Sequence, residues 1–146
     1  MHLPKIAIIG AGQVGATAAH IIARKELGNV VLVDIDAGMA RGKALDLAEA
    51  GPVEGFDVAV TGSDDYADTA GAEVVVITAG MARQPGMDRA DLLAKNAGIV
   101  RDAAAKVAHH SPDARIVVVT NPLDAMVAAV REATGFPVHR VMGMAG

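Results

Sequence analysis

Ile6-Ala7-Ile8-Ile9-Gly10-Ala11-Gly12-Gln13-Val14-Gly15-Ala16-Thr17-Ala18-Ala19 begins as an unbroken apolar run, passes through a turn holding three glycines, and leaves as an alanine-rich stretch of helical composition. The reading is strand, turn, helix. Gly10 allows the tight turn, Gly12 lets a ligand come against the backbone, and Gly15 lets the helix pack closely on the strand. The amides from Ala11 to Val14 would then face an anion at the helix start, as a phosphate cradle does. Taken alone, the G-x-G-x-x-G spacing is also compatible with a glycine turn that binds nothing, so its meaning depends on what flanks it.

Working outward, short apolar runs bounded by turn signals recur at 5–10, 30–34, 57–61, 73–79, 115–120 and 138–142. They read as six buried strands. Alanine-rich stretches of helical spacing lie between most of them, at 13–26, 37–50, 88–109 and 122–134. Parallel strands joined by crossover helices have this rhythm, so the expected fold is a doubly wound, six-stranded parallel α/β sheet. The connection from Gly62 to Ala72 is short and is expected to hold a single helical turn.

Length and composition bound the rest. A chain of 146 residues fits one domain, and a domain of that size buries roughly 68–70% of its unfolded surface. The composition is 52% hydrophobic but 2% aromatic, so the core must be built from Val, Ile, Leu, Met and Ala. A net charge of −4 with scattered acids and bases gives no footprint for nucleic acid. The chain has no cysteine, which removes disulfides and thiolate metal sites. No apolar run reaches membrane-spanning length, and Met1 to Lys5 lacks the features of an export signal. No membrane partner and a cytoplasmic location are the expectations.

The second strand, Asn29-Val30-Val31-Leu32-Val33, ends on Asp34. An acid about 20 residues beyond the glycine fingerprint can accept hydrogen bonds from an adenosine ribose, and its charge repels a 2′-phosphate. The cofactor expected from this pattern is NAD rather than NADP.

The fourth strand continues as Ile77-Thr78-Ala79-Gly80-Met81-Ala82-Arg83-Gln84-Pro85-Gly86-Met87-Asp88-Arg89 and, after a gap of six, Asn96. Arg83 and Arg89 flank Pro85-Gly86 in a segment too polar for a buried strand, and two guanidinium forks on a closing loop could hold a dicarboxylate. Asn121 follows the fifth strand at the sheet edge where ligands sit in such folds. It reads equally as a helix cap beside Pro122. With Gly42-Lys43-Ala44-Leu45-Asp46-Leu47, Asn121-Pro122-Leu123-Asp124 and Gly143-Met144-Ala145-Gly146 added, the whole chain resembles the malate dehydrogenases of the lactate-dehydrogenase-like branch.

That resemblance implies a Rossmann fold and NAD-dependent exchange of a hydride between malate and oxaloacetate, a reaction of the tricarboxylic acid cycle. It implies that Arg83 pairs with the substrate carboxylate remote from the reacting carbon, where lactate dehydrogenases usually carry glutamine. Pro85-Gly86 and Arg89 fix the spacing in favour of Arg83 over Gln84. Arg89 would polarise the reacting carbonyl, and Asn121 would contact substrate. Thr78, Ala79, Gly80, Asn96, Val119, Thr120 and Asn121 would line the cofactor groove.

The family also needs a histidine oriented by an aspartate, and a third arginine for the reacting-side carboxylate. All three are expected beyond Gly146, in a catalytic domain these residues do not include. The five histidines present, His2, His20, His109, His110 and His139, read as structural or solvated. His139 is expected to begin the last strand. Residues 1–146 are therefore expected to be a cofactor-binding domain that binds NAD(H) without efficient catalysis, and that self-associates into a homo-oligomer. A minimal structural scaffold with a vestigial site, and a domain of a related 2-hydroxy-acid dehydrogenase, are the other readings of the same residues.

Overall fold

Two neighbouring strands inside the sheet are buried on both faces. In β1 (Lys5–Ile9) and β2 (Asn29–Val33) successive side chains alternate between two separate cores. Ala7, Ile9, Val31 and Val33 point into one, while Ile8, Val30 and Leu32 point into the other. Alternation with period two, on strands covered on both sides, is why these segments read as unbroken apolar runs. The computed structural model describes residues 2–145.

The other strands are β3 (Val60–Ser63), β4 (Val74–Ile77), β5 (Arg115–Val118) and β6 (Val141–Gly143). All six pair in parallel in the order β3-β2-β1-β4-β5-β6. Helices α1 (Gln13–Arg24) and α2 (Ala37–Glu54) cover one face through Ala19, Ala23, Ala40 and Ala44. Helices α3 (Arg89–His110) and α4 (Leu123–Thr134) cover the other through Val100, Ala103, Ala104, Val107, Met126 and Val130. Small residues on the helix side bring the helices close to the sheet, so the aromatic-poor composition still closes a core. The strand order reverses between β1 and β4, and a crevice opens there at the carboxyl ends of the strands.

The register aligns those ends. Ile9 pairs with Val33 on one side and Ile77 on the other, and Ile77 pairs with Val118. The residues that follow, Gly10, Asp34, Thr78 and Val119, therefore emerge along one rim. The short link between β3 and β4 holds one 3-10 turn, Tyr66–Thr69, with Asp65 accepting a hydrogen bond from the Ala67 amide at 2.8 Å.

Most boundaries fall within two residues of the sequence reading, and three differ by more. Val138–Arg140 is a 3-10 turn and the last strand spans only Val141–Gly143, so His139 precedes the strand instead of beginning it. The Arg140 amide donates to the Pro137 carbonyl at 2.9 Å, and its guanidinium lies 4.1 Å over the Phe136 ring while donating to the Pro112 carbonyl at 2.7 Å. These contacts curl the segment before it can pair. β3 begins at Val60, because the Asn29 side chain accepts from the Ala59 amide at 3.0 Å and Glu26 from the Asp57 amide at 3.0 Å. α2 runs on through Pro52 to Glu54. A proline in the last turn removes one hydrogen bond only, and Gly55 caps the end in the left-handed region at φ 84°.

Candidate functional site: a glycine turn and an arginine loop at the switch point

Gly10 has φ 106°, and a side chain there would meet the Thr78 hydroxyl at 2.7 Å and the Ala79 amide at 2.8 Å. Gly15 is tighter, since a Cβ would sit 1.8 Å from the Gly10 carbonyl oxygen. Both glycines are thus required by the protein's own packing. Gly12 is not: its φ is −67° and an added Cβ would touch nothing within 4 Å. It caps α1 with no side-chain hydrogen bond, and the Gly12, Gln13 and Val14 amides donate to nothing among the described residues. These open donors at a helix amino end form a cradle that fits a pyrophosphate, and the space beside Gly12 is open.

Asp34 is half-buried and holds the turn from the side. Its Oδ2 accepts from the Ala11 amide at 2.7 Å and its Oδ1 from the Asp36 amide at 2.9 Å. A carboxylate has about four acceptor positions, so lone pairs remain for ribose hydroxyls. Ile35, next in the chain, is fully exposed. Nearby, burial pushes the Tyr66 phenol up to about 12, with the charges of Asp102 and then Asp34 acting in the same direction. The Lys106 ammonium lies 5.2 Å from the Tyr66 ring centroid.

Across the crevice, side chains brace the rim. The Thr78 hydroxyl donates to the Ile9 and Gly10 carbonyls at 3.2 and 3.1 Å, and the Thr120 hydroxyl to the Ala79 carbonyl at 2.7 Å. A cleft of about 410 Å³ runs past Val14, Thr78, Gly80, Asn96, Val119, Thr120 and Asn121. The structure brings these predicted residues together; Ala79 contributes backbone to the rim but does not line the cleft. Met81, Ala82 and Leu92 line it as well and were not singled out from sequence. They carry no polar group, so nothing in their chemistry signals a site.

Arg83, Arg89, Leu92, Asn121 and Pro122 surround an adjoining pocket of about 360 Å³. The Arg83 Nε donates to the Met87 carbonyl at 3.1 Å, closing a turn in which the Met87 amide donates to Gln84 at 3.1 Å. Arg89 opens α3, where a cation opposes the positive end of the helix dipole. The adjacent acids are committed elsewhere: Asp88 accepts from the Asp91 amide at 2.7 Å and Asp91 from the Asp88 amide at 3.4 Å, a capping box. Among the described residues neither Arg83 nor Arg89 is ion-paired. The cap of α4 is Pro122, not Asn121, and the Asn121 carboxamide makes no hydrogen bond among the described residues. A cis peptide joins Asn121 to Pro122.

A larger hollow of about 530 Å³ opens beside Gly51, Phe56 and Val58 at the β3 side of the sheet. Asp57 is its one charged lining residue, and no set of polar groups converges there. The histidines also lie outside the cleft. His2 contacts Glu73 at 2.6 Å, His20 contacts Glu54 at 2.8 Å, and His109 and His110 stack edge to face at the end of α3. Among the described residues no cluster of acids and histidines could hold a metal, and no helix is long and apolar enough to cross a membrane.

The doubly wound parallel sheet, the glycine turn at its switch point and the acid at the end of β2 define a dinucleotide-binding α/β domain. The sequence matches the lactate/malate dehydrogenase NAD binding domain family over residues 4–143, and the chain belongs to that family; NAD is its cofactor. It is 60% identical over 146 residues to a malate dehydrogenase of Desulforudis audaxviator, covering 100% of this chain and 47% of that protein. Its fold is similar to the apo malate dehydrogenase of Picrophilus torridus, with a TM-score of 0.96 and 43% identity, covering 99% of this chain and 46% of that one. The malate dehydrogenase of Archaeoglobus fulgidus, solved in complex with NADH, gives a TM-score of 0.91 at 42% identity over 96% of this chain and 48% of that one. The chain spans about half the length of these relatives.

Proposed function

We propose that residues 1–146 are the cofactor-binding domain of an NAD-dependent malate dehydrogenase, with the proton-carrying histidine and its aspartate outside these residues. When bound, NAD(H) supplies the hydride donor or acceptor. The amides from Gly12 to Val14 hold its pyrophosphate and Asp34 its adenosine ribose, while Val119, Thr120 and Asn121 line the nicotinamide side and Thr78, Ala79, Gly80 and Asn96 the rest of the groove. Arg83 pairs with the carboxylate of the substrate remote from the reacting carbon. Arg89 donates to the reacting carbonyl oxygen and stabilises the negative charge that grows on it. Asn121, with both a donor and an acceptor free, orients the same group. The setting we assign is the cytoplasm and the tricarboxylic acid cycle, in a homo-oligomer.

The observation that carries this reading is the shared pocket of Arg83, Arg89 and Asn121, whose guanidinium groups have no carboxylate partner among the described residues and which adjoins the cleft beside the glycine turn. Two unpaired cations and a carboxamide suit a small dicarboxylate. Steady-state assay of the chain with oxaloacetate and NADH tests the division of labour. Absence of the general acid/base predicts a rate lower by about 10² to 10⁴ than that of a complete dehydrogenase. Turnover equal to the complete enzyme would overturn it.

A further inference from the structure

Asn96 lies in α3, is 2% exposed, and uses its carboxamide entirely on backbone. Its Oδ1 accepts from the Met81 amide at 2.8 Å. Its Nδ2 donates to the Met81 carbonyl at 3.3 Å and to the Asn121 carbonyl at 2.9 Å. Met81 is the root of the arginine loop, and Asn121 begins the turn that faces it. Both amide hydrogens of Asn96 are spent on these two segments. The seat is close on the other side as well: a Cβ at Gly80 would meet the Thr120 methyl at 2.6 Å and Asn96 Oδ1 at 3.3 Å.

We infer that Asn96 is a positioning residue, a buried clamp that fixes the root of the arginine loop to the Asn121 turn and so sets how the two arginines and Asn121 share one anion. The inference rests on the dicarboxylate reading above. The chemistry selects asparagine at this position, because the site asks for one acceptor and two donors on a short planar group. Aspartate has the shape but offers no donor when ionised, and it would turn an oxygen toward two carbonyls. Leucine fills the volume and satisfies none of the three backbone groups.

Two variants and two readouts test the clamp. Calorimetry of the whole chain measures NAD affinity, then malonate affinity at saturating NAD, malonate being a dicarboxylate that undergoes no redox step. Amide hydrogen exchange follows Met81 against core amides of β1. For Asn96→Asp, malonate affinity at saturating NAD is expected to fall about tenfold or more, and by a larger factor than NAD affinity, since the lost hydrogen bonds serve the substrate side. For Asn96→Leu, the Met81 amide is expected to exchange about tenfold faster while β1 amides keep their protection. An equal fall in NAD and malonate affinity, or unchanged malonate affinity with unchanged Met81 exchange, would overturn the clamp. If Asn96→Leu does not fold, the affinity split in Asn96→Asp decides. If the parent chain takes no malonate, the dicarboxylate reading fails, and Met81 exchange alone decides the clamp.

Discussion

Replacing Gly12 with valine separates what the glycine turn does for the protein from what it does for its ligand. A Cβ at Gly12 meets nothing within 4 Å, and the backbone there, at φ −67° and ψ −167°, suits an L-residue. Losing glycine at a helix cap costs roughly 0.5–1 kcal/mol, and the reduced freedom of the unfolded chain returns about 0.4–1 kcal/mol. The two nearly cancel. For a chain of this size 1 kcal/mol moves Tm by about 2–4 °C, so free Gly12→Val is expected to melt within about 4 °C of the parent. The parent at a 100-fold excess of NAD over Kd gains about 2.7 kcal/mol, a rise of roughly 5–10 °C. The variant should show no such rise, because the branched side chain fills the space over the open amides. Gly15→Ala is the contrast, since its Cβ would lie 1.8 Å from the Gly10 carbonyl oxygen and the free protein itself must deform. Thermal melts with and without NAD read both. A folded Gly12→Val that keeps the NAD-induced rise would refute the cradle, and a parent with no rise at saturating NAD would favour a scaffold with a vestigial site.

Three further outcomes follow from the site. Asp34→Ser with Ile35→Arg is expected to raise the ratio of NADP to NAD affinity; because Asp34 also accepts from the Ala11 amide, the free protein should lose about 1–3 kcal/mol as well. An unchanged ratio in parallel titrations would remove Asp34 from the ribose. Arg83→Gln should weaken malonate binding at saturating NAD by roughly 10- to 150-fold through loss of a charge-assisted pair, with NAD affinity unchanged; equal malonate affinity in calorimetry would exclude Arg83 from the anion site. Tyr66 is the only tyrosine of the chain, so its phenolate absorbance can be followed directly, and it should appear near pH 12. The folded state holds that proton more tightly than the unfolded state, whose tyrosine titrates near 10, so stability from this group is intact below pH 10 and declines between about 10 and 12. Titration at the ordinary value in the folded protein would contradict the burial.

The strands β1 and β2 were legible because both of their faces are buried, which leaves runs such as Val30-Val31-Leu32-Val33 with no polar interruption. Val138-His139-Arg140 looked like more of the same, but its conformation is set by a cation over Phe136 and by carbonyls 26 and 28 residues away in sequence, contacts no local pattern encodes. At the site, glycine spacing announced the turn and paired arginines announced the loop, since each is a rare chemistry at a fixed interval. The hold of Asp34 on Ala11 was hidden, because it exists only once Ile9 lies beside Val33. Asn96 was legible as a groove residue, yet its hydrogen bonds depend on how α3 is rotated against the sheet. Sequence shows which groups are available, while the register and the rotation of helices decide which of them are already engaged.

The seating of Gly10 against Thr78 bears on how the domain comes into being. β1 completes its pairing only when Ile6 finds Val74 and Ile9 finds Ile77, nearly half the chain later. Early in synthesis the glycine motif can form a strand with β2, but the wall that limits its turn has not yet been made. Contacts of such long span slow folding and leave unpaired strand edges exposed meanwhile. The nucleotide cradle, the most local motif in the sequence, is in this sense among the least local in assembly, and its appearance marks the moment when the two halves of the sheet have joined.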